Sequence, residues 1–279
     1  GTFGNVTATA GITDTGGGAL WGDYDNDGDL DFFQYTSNCV PCRNSSPDNY
    51  DDLWRNNGDG TFSNVRAVDY GGAIDAPVPR DPLPTEAAAW GDFNGDGYLD
   101  LYTANHVDWD SGDCFDDYLW LNEGPPAYGF RDVSEASGIR AARLCGRGVS
   151  PSDFDGDGDA DIFVANYRLK PDLLWVNQGN DAEGVPHFVN EARQRGVEGV
   201  LKTGSFAGQY GHSIGAVWGD LDVDGDRDLV VANLAHSAWR CFSDATMVYL
   251  SSGWEGEYGF TDVRERSGVA YVETHSDPS

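Results

Sequence analysis

The stretch Asp23-Tyr-Asp-Asn-Asp-Gly-Asp-Leu-Asp31 returns three times, as Asp92-Phe-Asn-Gly-Asp-Gly-Tyr-Leu-Asp100, Asp153-Phe-Asp-Gly-Asp-Gly-Asp-Ala-Asp161 and Asp220-Leu-Asp-Val-Asp-Gly-Asp-Arg-Asp228. The starts are 69, 61 and 67 residues apart. An oxygen-rich nonamer recurring at this period is a metal-binding loop set into a repeat architecture.

The columns say which oxygens matter. Position 1 is Asp23, Asp92, Asp153 and Asp220; position 3 is Asp25, Asn94, Asp155 and Asp222. Position 5 is Asp27, Asp96, Asp157 and Asp224, followed always by Gly; position 9 is Asp31, Asp100, Asp161 and Asp228. Position 7 drifts through Asp29, Tyr98, Asp159 and Asp226, so its backbone carbonyl is the expected ligand there. Alternate oxygens closing on one point around a turn-making Gly suit Ca²⁺, about one ion per loop and four in all. A donor set without His or Cys argues against zinc and copper. Position 12 is Gln34, Thr103, Val164 and Val231, where an EF-hand needs Glu, so the Asp at position 9 is expected to close the site. Short β-type runs, such as Ile162-Phe163-Val164, follow each loop.

Asp-x-Asp-x-Asp-Gly-x-x-Asp between two strands resembles the calcium loop of FG-GAP/VCBS repeats, found in integrin α-subunit propellers. The longer context, Gly18-Ala-Leu-Trp-Gly followed by the nonamer and Leu53-Trp-Arg-Asn-Asn-Gly-Asp-Gly-Thr-Phe62, is similar to cartilage-acidic-protein and UnbV-type bacterial proteins. The resemblance implies an all-β, calcium-binding propeller and leaves the function open.

Two further motifs set the blade. Gly-x-Phe-x-x-Val…Gly-Ile/Val recurs with some drift at Phe3–Ile12, Phe62–Gly71, Phe130–Ile139, Phe188–Val197 and Phe260–Val269. A Leu/Val-Trp/Tyr pair entering a turn recurs at Leu53, Leu119, Leu174 and Val248. One unit therefore reads strand a, calcium loop, strand b, long loop, strand c, tight turn, strand d. Four short strands in about 65 residues make a propeller blade. The expectation is four complete blades near 16–71, 86–139, 147–197 and 213–269, plus one extra N-terminal outer strand within 1–12. That extra strand fits a piece of a larger propeller, a strand laid on an edge, or donation to a neighbouring molecule. Trp21, Trp90, Trp218, Trp54, Trp120 and Trp175 fall in repeat columns and are expected between blades.

With 47 acidic and 17 basic residues in 279, the formal charge is −30, and the nonamers hold 18 of the acids. Four Ca²⁺ leave the chain strongly acidic, so nucleic acid and anionic membranes are poor partners. No apolar run approaches a transmembrane span. The start at Gly1-Thr-Phe carries no signal peptide and reads as that of a mature or trimmed product. Calcium loops and disulfides both suit an extracellular or cell-surface setting. Cys39 and Cys42 are spaced for a short loop disulfide; Cys114 and Cys145 lie in loops of successive repeats and are candidates to bridge them.

Alternating strands put the calcium loops on one face and the long b–c loops on the other. Loops of variable length on a rigid scaffold are where recognition is usually placed. His106, Trp109, Arg168, His236, Trp239 and Arg240 are the candidates there, for a protein or carbohydrate ligand. Gly211-His-Ser-Ile-Gly215 has the spacing of a nucleophile elbow but runs into a strand, where that motif needs a strand-to-helix turn. The reading is a non-enzymatic binding or adhesion module. A subunit that assembles with copies of itself, and a propeller enzyme using His106, His236, Arg168 and Arg240, are the alternatives.

Overall fold

A computed structural model describes residues 2–12, 17–37, 51–65, 83–204, 207–234, 245–253 and 259–269. Among these residues, sixteen strands form four four-stranded antiparallel sheets, each a simple meander in chain order. The first blade holds β1 (Gly18–Gly22), β2 (Asp31–Tyr35), β3 (Asp52–Asn56) and β4 (Phe62–Asn64). The second holds β5 (Thr85–Gly91), β6 (Asp100–Asn105), β7 (Tyr118–Asn122) and β8 (Phe130–Asp132). The third holds β9 (Gly146–Ser152), β10 (Asp161–Asn166), β11 (Leu173–Asn180) and β12 (Pro186–Asn190). The fourth holds β13 (Ser213–Gly219), β14 (Asp228–Asn233), β15 (Met247–Ser251) and β16 (Phe260–Asp262).

The second strand of each blade is central to the packing. In β10 every residue is buried, because neighbouring blades cover both faces. Ile162 and Val164 enter a core shared with the second blade, through Tyr102, Leu119 and Leu121. Phe163 and Ala165 enter a core shared with the fourth blade, through Leu229, Val231 and Tyr249. A third core joins Phe33 and Leu53 to Leu101 and Phe130. Each such fully buried side chain contributes about 1.5–3 kcal/mol.

Among the described residues these cores join the first blade to the second, the second to the third and the third to the fourth. Among the described residues, no strand pairing or buried core joins the fourth blade to the first. Trp54 and Trp175 are buried, whereas Trp21, on the same face of the first blade as Phe32 and Trp54, is 59% exposed.

The extra N-terminal copy of the d-strand motif differs from expectation. Phe3–Asn5 pairs with no strand among the described residues, and residues 7–11 form a turn. A d strand needs a c strand beside it, and this copy has none.

Candidate metal loops and the opposite loop face

Each nonamer joins the first two strands of its blade. Gly28, Gly97, Gly158 and Gly225, at position 6, all have φ between 89° and 98°, which an L side chain adopts only with strain. The acidic residues build the loop before any ion is considered. Asp23 accepts from the amides of Asp27 and Gly28 at 3.1 and 3.0 Å, and Asp220 does the same with Asp224 and Gly225. Position 5 accepts from the position 7 amide in all four copies.

Position 9 is the buried clamp. Asp100 accepts from Phe93 N and Asn122 N, both at 2.9 Å, so one carboxylate holds the loop's second residue and the end of strand c. Asp31, Asp161 and Asp228 make the same pair of bonds. Burial, before the neighbouring acids, raises Asp31 and Asp100 to about 7 and Asp161 to about 8.

Ligand atoms of Asp23, Asp25 and Asp27 lie within 4.8 Å of one another, as do those of Asp153, Asp155 and Asp161, and of Asp220, Asp222 and Asp228. Oδ1 of Asp25 and Oδ1 of Asp155, both at position 3, are buried with no hydrogen-bond partner. A buried carboxylate oxygen left unpaired is costly, and a hard cation satisfies it. These groups can hold a metal ion. The position 7 side chains turn toward the tight turn between strands c and d. Tyr98 lies over Gly124, and Asp29, Asp159 and Asp226 approach Gly58, Gly179 and Gly253. That placement explains why Tyr is tolerated in this column.

One element was missed in the sequence: the Asn ending strand c. Asn122 Nδ2 donates to Tyr24 O at 2.8 Å, and Asn177 Nδ2 to Phe93 O at 2.9 Å. Each acceptor is position 2 of the preceding blade's loop, so metal loop and blade contact share a backbone. The signal was a column, Trp-x-Asn at Asn56, Asn122 and Asn177, with Ser251 in the fourth copy.

On the opposite face, Cys114 and Cys145 form a disulfide that ties the long loop of the second blade to the start of the third. Beside it His106 lies 5.5 Å from Trp109 and 5.5 Å from Tyr167, ring to ring. Tyr167 stacks on His212 at 4.4 Å. Arg168 lies over Trp109 and Arg147 over Tyr167. Arg168 and Leu169 are successive left-handed residues held by bonds between Leu169 and the Tyr210–Gly211 segment. His106 is buried; burial, then Arg147, lowers its imidazole to about 4, so it is neutral near pH 7. The carbonyls of Gly146 and Cys145 lie nearby and oppose that shift, but neither ring nitrogen makes a well-formed hydrogen bond. Trp109 is 59% exposed.

The structure thus brings together His106, Trp109 and Arg168. His236, Trp239, Arg240, Cys39, Cys42 and Cys241 lie outside the described residues. Ser213, of the Gly-x-Ser-x-Gly match, opens β13 and donates to Asp172 at 2.8 Å, as Thr85 donates to Asp51 at the start of β5. It is a structural hydroxyl between blades. No helix among the described residues is long and apolar enough to cross a membrane.

A family model described as FG-GAP-like repeat matches residues 42–103 and 92–164. Mouse cartilage acidic protein 1 is 27% identical over 179 residues, covering 62% of this chain and 23% of that protein. Among solved structures, an Agrocybe aegerita lectin recognising non-reducing terminal N-acetylglucosamine is similar with a TM-score of 0.39 and 18% identity, covering 87% of this chain and 50% of that one. Rhamnogalacturonan lyase YesW is similar with a TM-score of 0.39 and 16% identity, covering 76% of this chain and 40% of that one. The chain spans half or less of the length of each of these relatives. The chain thus carries FG-GAP-like repeats over residues 42–164, and its four repeated loops sit on four meander sheets of β-propeller-like architecture.

Proposed function

We propose that the chain is an extracellular, calcium-stabilised binding module. Calcium is held on one face by positions 1, 3, 5 and 9 of each nonamer and the position 7 carbonyl. The ligand is held on the other. The observation that carries the calcium reading is the pair of buried, unpartnered oxygens on Asp25 and Asp155 within all-oxygen clusters. At free calcium a hundredfold above the dissociation constant, each site adds about 2.7 kcal/mol to stability.

For the ligand, the disulfide-pinned group of Trp109, His106, Tyr167, Arg147 and Arg168 supports a saccharide carrying a carboxylate. An exposed indole offers a stacking face, and guanidinium groups, scarce in this acidic chain, offer paired donors to an anion. The test is a screen of neutral and acidic glycans against the purified protein in calcium. Acidic glycans are expected to bind, and Trp109→Ala to weaken binding at least tenfold with the melting temperature unchanged. Equal binding by the variant would remove the platform from the reading. Calorimetric titration giving no calcium uptake would remove the metal.

A further inference from the structure

We infer that the first three metal loops act as one cooperative calcium unit, linked in series through Asn122 and Asn177, and that the fourth loop fills independently. The inference rests on the calcium reading proposed above and adds to it how the sites act on one another.

The link is a run of hydrogen bonds from one position 9 clamp to the next. Asp31 Oδ2 accepts from Tyr24 N at 3.2 Å. Tyr24 O accepts from Asn122 Nδ2 at 2.8 Å, and Asn122 N donates to Asp100 Oδ1 at 2.9 Å. Asp100 Oδ2 in turn accepts from Phe93 N at 2.9 Å. Phe93 O accepts from Asn177 Nδ2 at 2.9 Å, and Asn177 N donates to Asp161 Oδ1 at 2.8 Å. Six bonds thus join three carboxylates of three different loops. All three carboxylates and both asparagines are buried, where such bonds are stronger than in water.

Two further contacts brace the second loop from either side. Asn26 Nδ2, in the first loop, donates to Gly97 O at 3.1 Å. Asn180 Nδ2, in the third blade, donates to Asn94 O at 2.7 Å.

The run stops at the fourth blade. Asp228 holds Leu221 N and Ser251 N as its counterparts hold theirs. The side chain that would reach back to Phe154 O, however, belongs to Ser251, which has no amide to extend. Its Oγ instead accepts from Gly253 N at 3.3 Å, within its own turn. Among the described residues no side chain donates to Phe154 O.

The chemistry gives the coupling its sign. Without an ion, the carboxylates of one loop repel one another and the loop loosens. Drawn together, they fix the position 2 backbone and the clamp. The asparagine that bonds to that backbone carries the order to the clamp of the next loop. A second ion then meets a loop already in place and costs less conformational entropy. Couplings between sites are typically about 5- to 150-fold in affinity.

The test follows hydrogen exchange in the four nonamers as free calcium is raised, with calorimetry reporting total uptake. The first three are expected to gain protection together, along a curve steeper than that of a single site. The fourth should follow a one-site curve of its own. Asn177→Ser gives the third blade the residue the fourth already carries. It is expected to raise the third loop's midpoint about fivefold or more, leaving the first two together and the fourth unmoved. One-site curves for every loop of the parent, or an unmoved third midpoint in Asn177→Ser, would overturn the inference and leave calcium binding intact. An equal shift of all four midpoints would also overturn it, because the substitution would then act through overall stability. No calcium uptake would remove the metal, and this inference with it.

Discussion

The side-chain amide of Asn122 donates to the carbonyl of Tyr24, 98 residues earlier, across a blade boundary. The amide is buried and the acceptor lies between two carboxylates of the first metal loop. Asn122→Ala leaves Tyr24 O and Leu99 O without their donor, at a cost of about 1–3 kcal/mol. Asn56→Ala, which loses no bond between blades, is expected to cost less than half as much. Calorimetric calcium titrations should show weaker binding at one site in Asn122→Ala and normal affinity at the others. Uniform weakening would mean that the bond does not couple contact to loop.

On the proposed calcium reading, protons and calcium compete for the clamp. Asp31, Asp100 and Asp161 have folded-state values near 7 to 8, above the ordinary carboxylate value of the unfolded chain. The folded state therefore holds more protons than the unfolded state between about pH 4 and 8, so metal-free stability falls as pH rises through that window. His106, lowered to about 4, works the other way between pH 4 and 6.5, as one group against three. In chelator the melting temperature is expected to be higher at pH 5.5 than at pH 8. In millimolar calcium the order should reverse, because the ion needs the carboxylates. Parallel trends in both buffers would contradict the assignment of these groups to the metal loops.

Much of this was legible because repetition exposes columns. The loop columns, the four strands of each blade and the tolerance of Tyr98 follow from comparing copies, and the sheets match that pattern. The role of Asn122 was less visible. It lies at the end of a strand, and its partner is a backbone carbonyl, which leaves no mark on the composition of the partner segment. The exposure of Trp21 was hidden for a different reason. Its column predicts an interface, but Trp21 lies on an edge strand of its sheet and is exposed where Phe32 and Trp54 beside it are buried, so burial varies within one face of one blade. Trp109 and Arg168 were nominated from loop position alone; their convergence with Tyr167 and Arg147 depends on the disulfide and on consecutive left-handed residues.

Val223 is strained. It occupies position 4 of the last nonamer at φ 66°, where the other copies have Asn26, Gly95 and Gly156. A β-branched residue in the left-handed region costs about 1–2 kcal/mol, and its side chain, 86% exposed, recovers little by packing. Val223→Asn is expected to stabilise the protein by about 1 kcal/mol, read by chemical denaturation in calcium. No gain would mean that the loop relaxes to accept valine.

The disulfide closes a loop of 31 residues between Cys114 and Cys145. Chain-entropy arguments assign such a loop about 4 kcal/mol of stability. Its position adds a local consequence. Val107 bridges to Cys114, and Cys145 O accepts from Tyr167 N at 2.9 Å, so the bond holds the segments bearing Trp109 and Tyr167. The double variant Cys114→Ser, Cys145→Ser is expected to unfold at lower denaturant. In buffer it should keep the calcium stoichiometry of the parent, because the nonamers lie on the other face, while Trp109 becomes more accessible to iodide. Hydrogen exchange should rise first in residues 106–117 and 145–147. Loss of protection spread evenly over all four blades would instead make the bond a global staple with no special hold on the loop face.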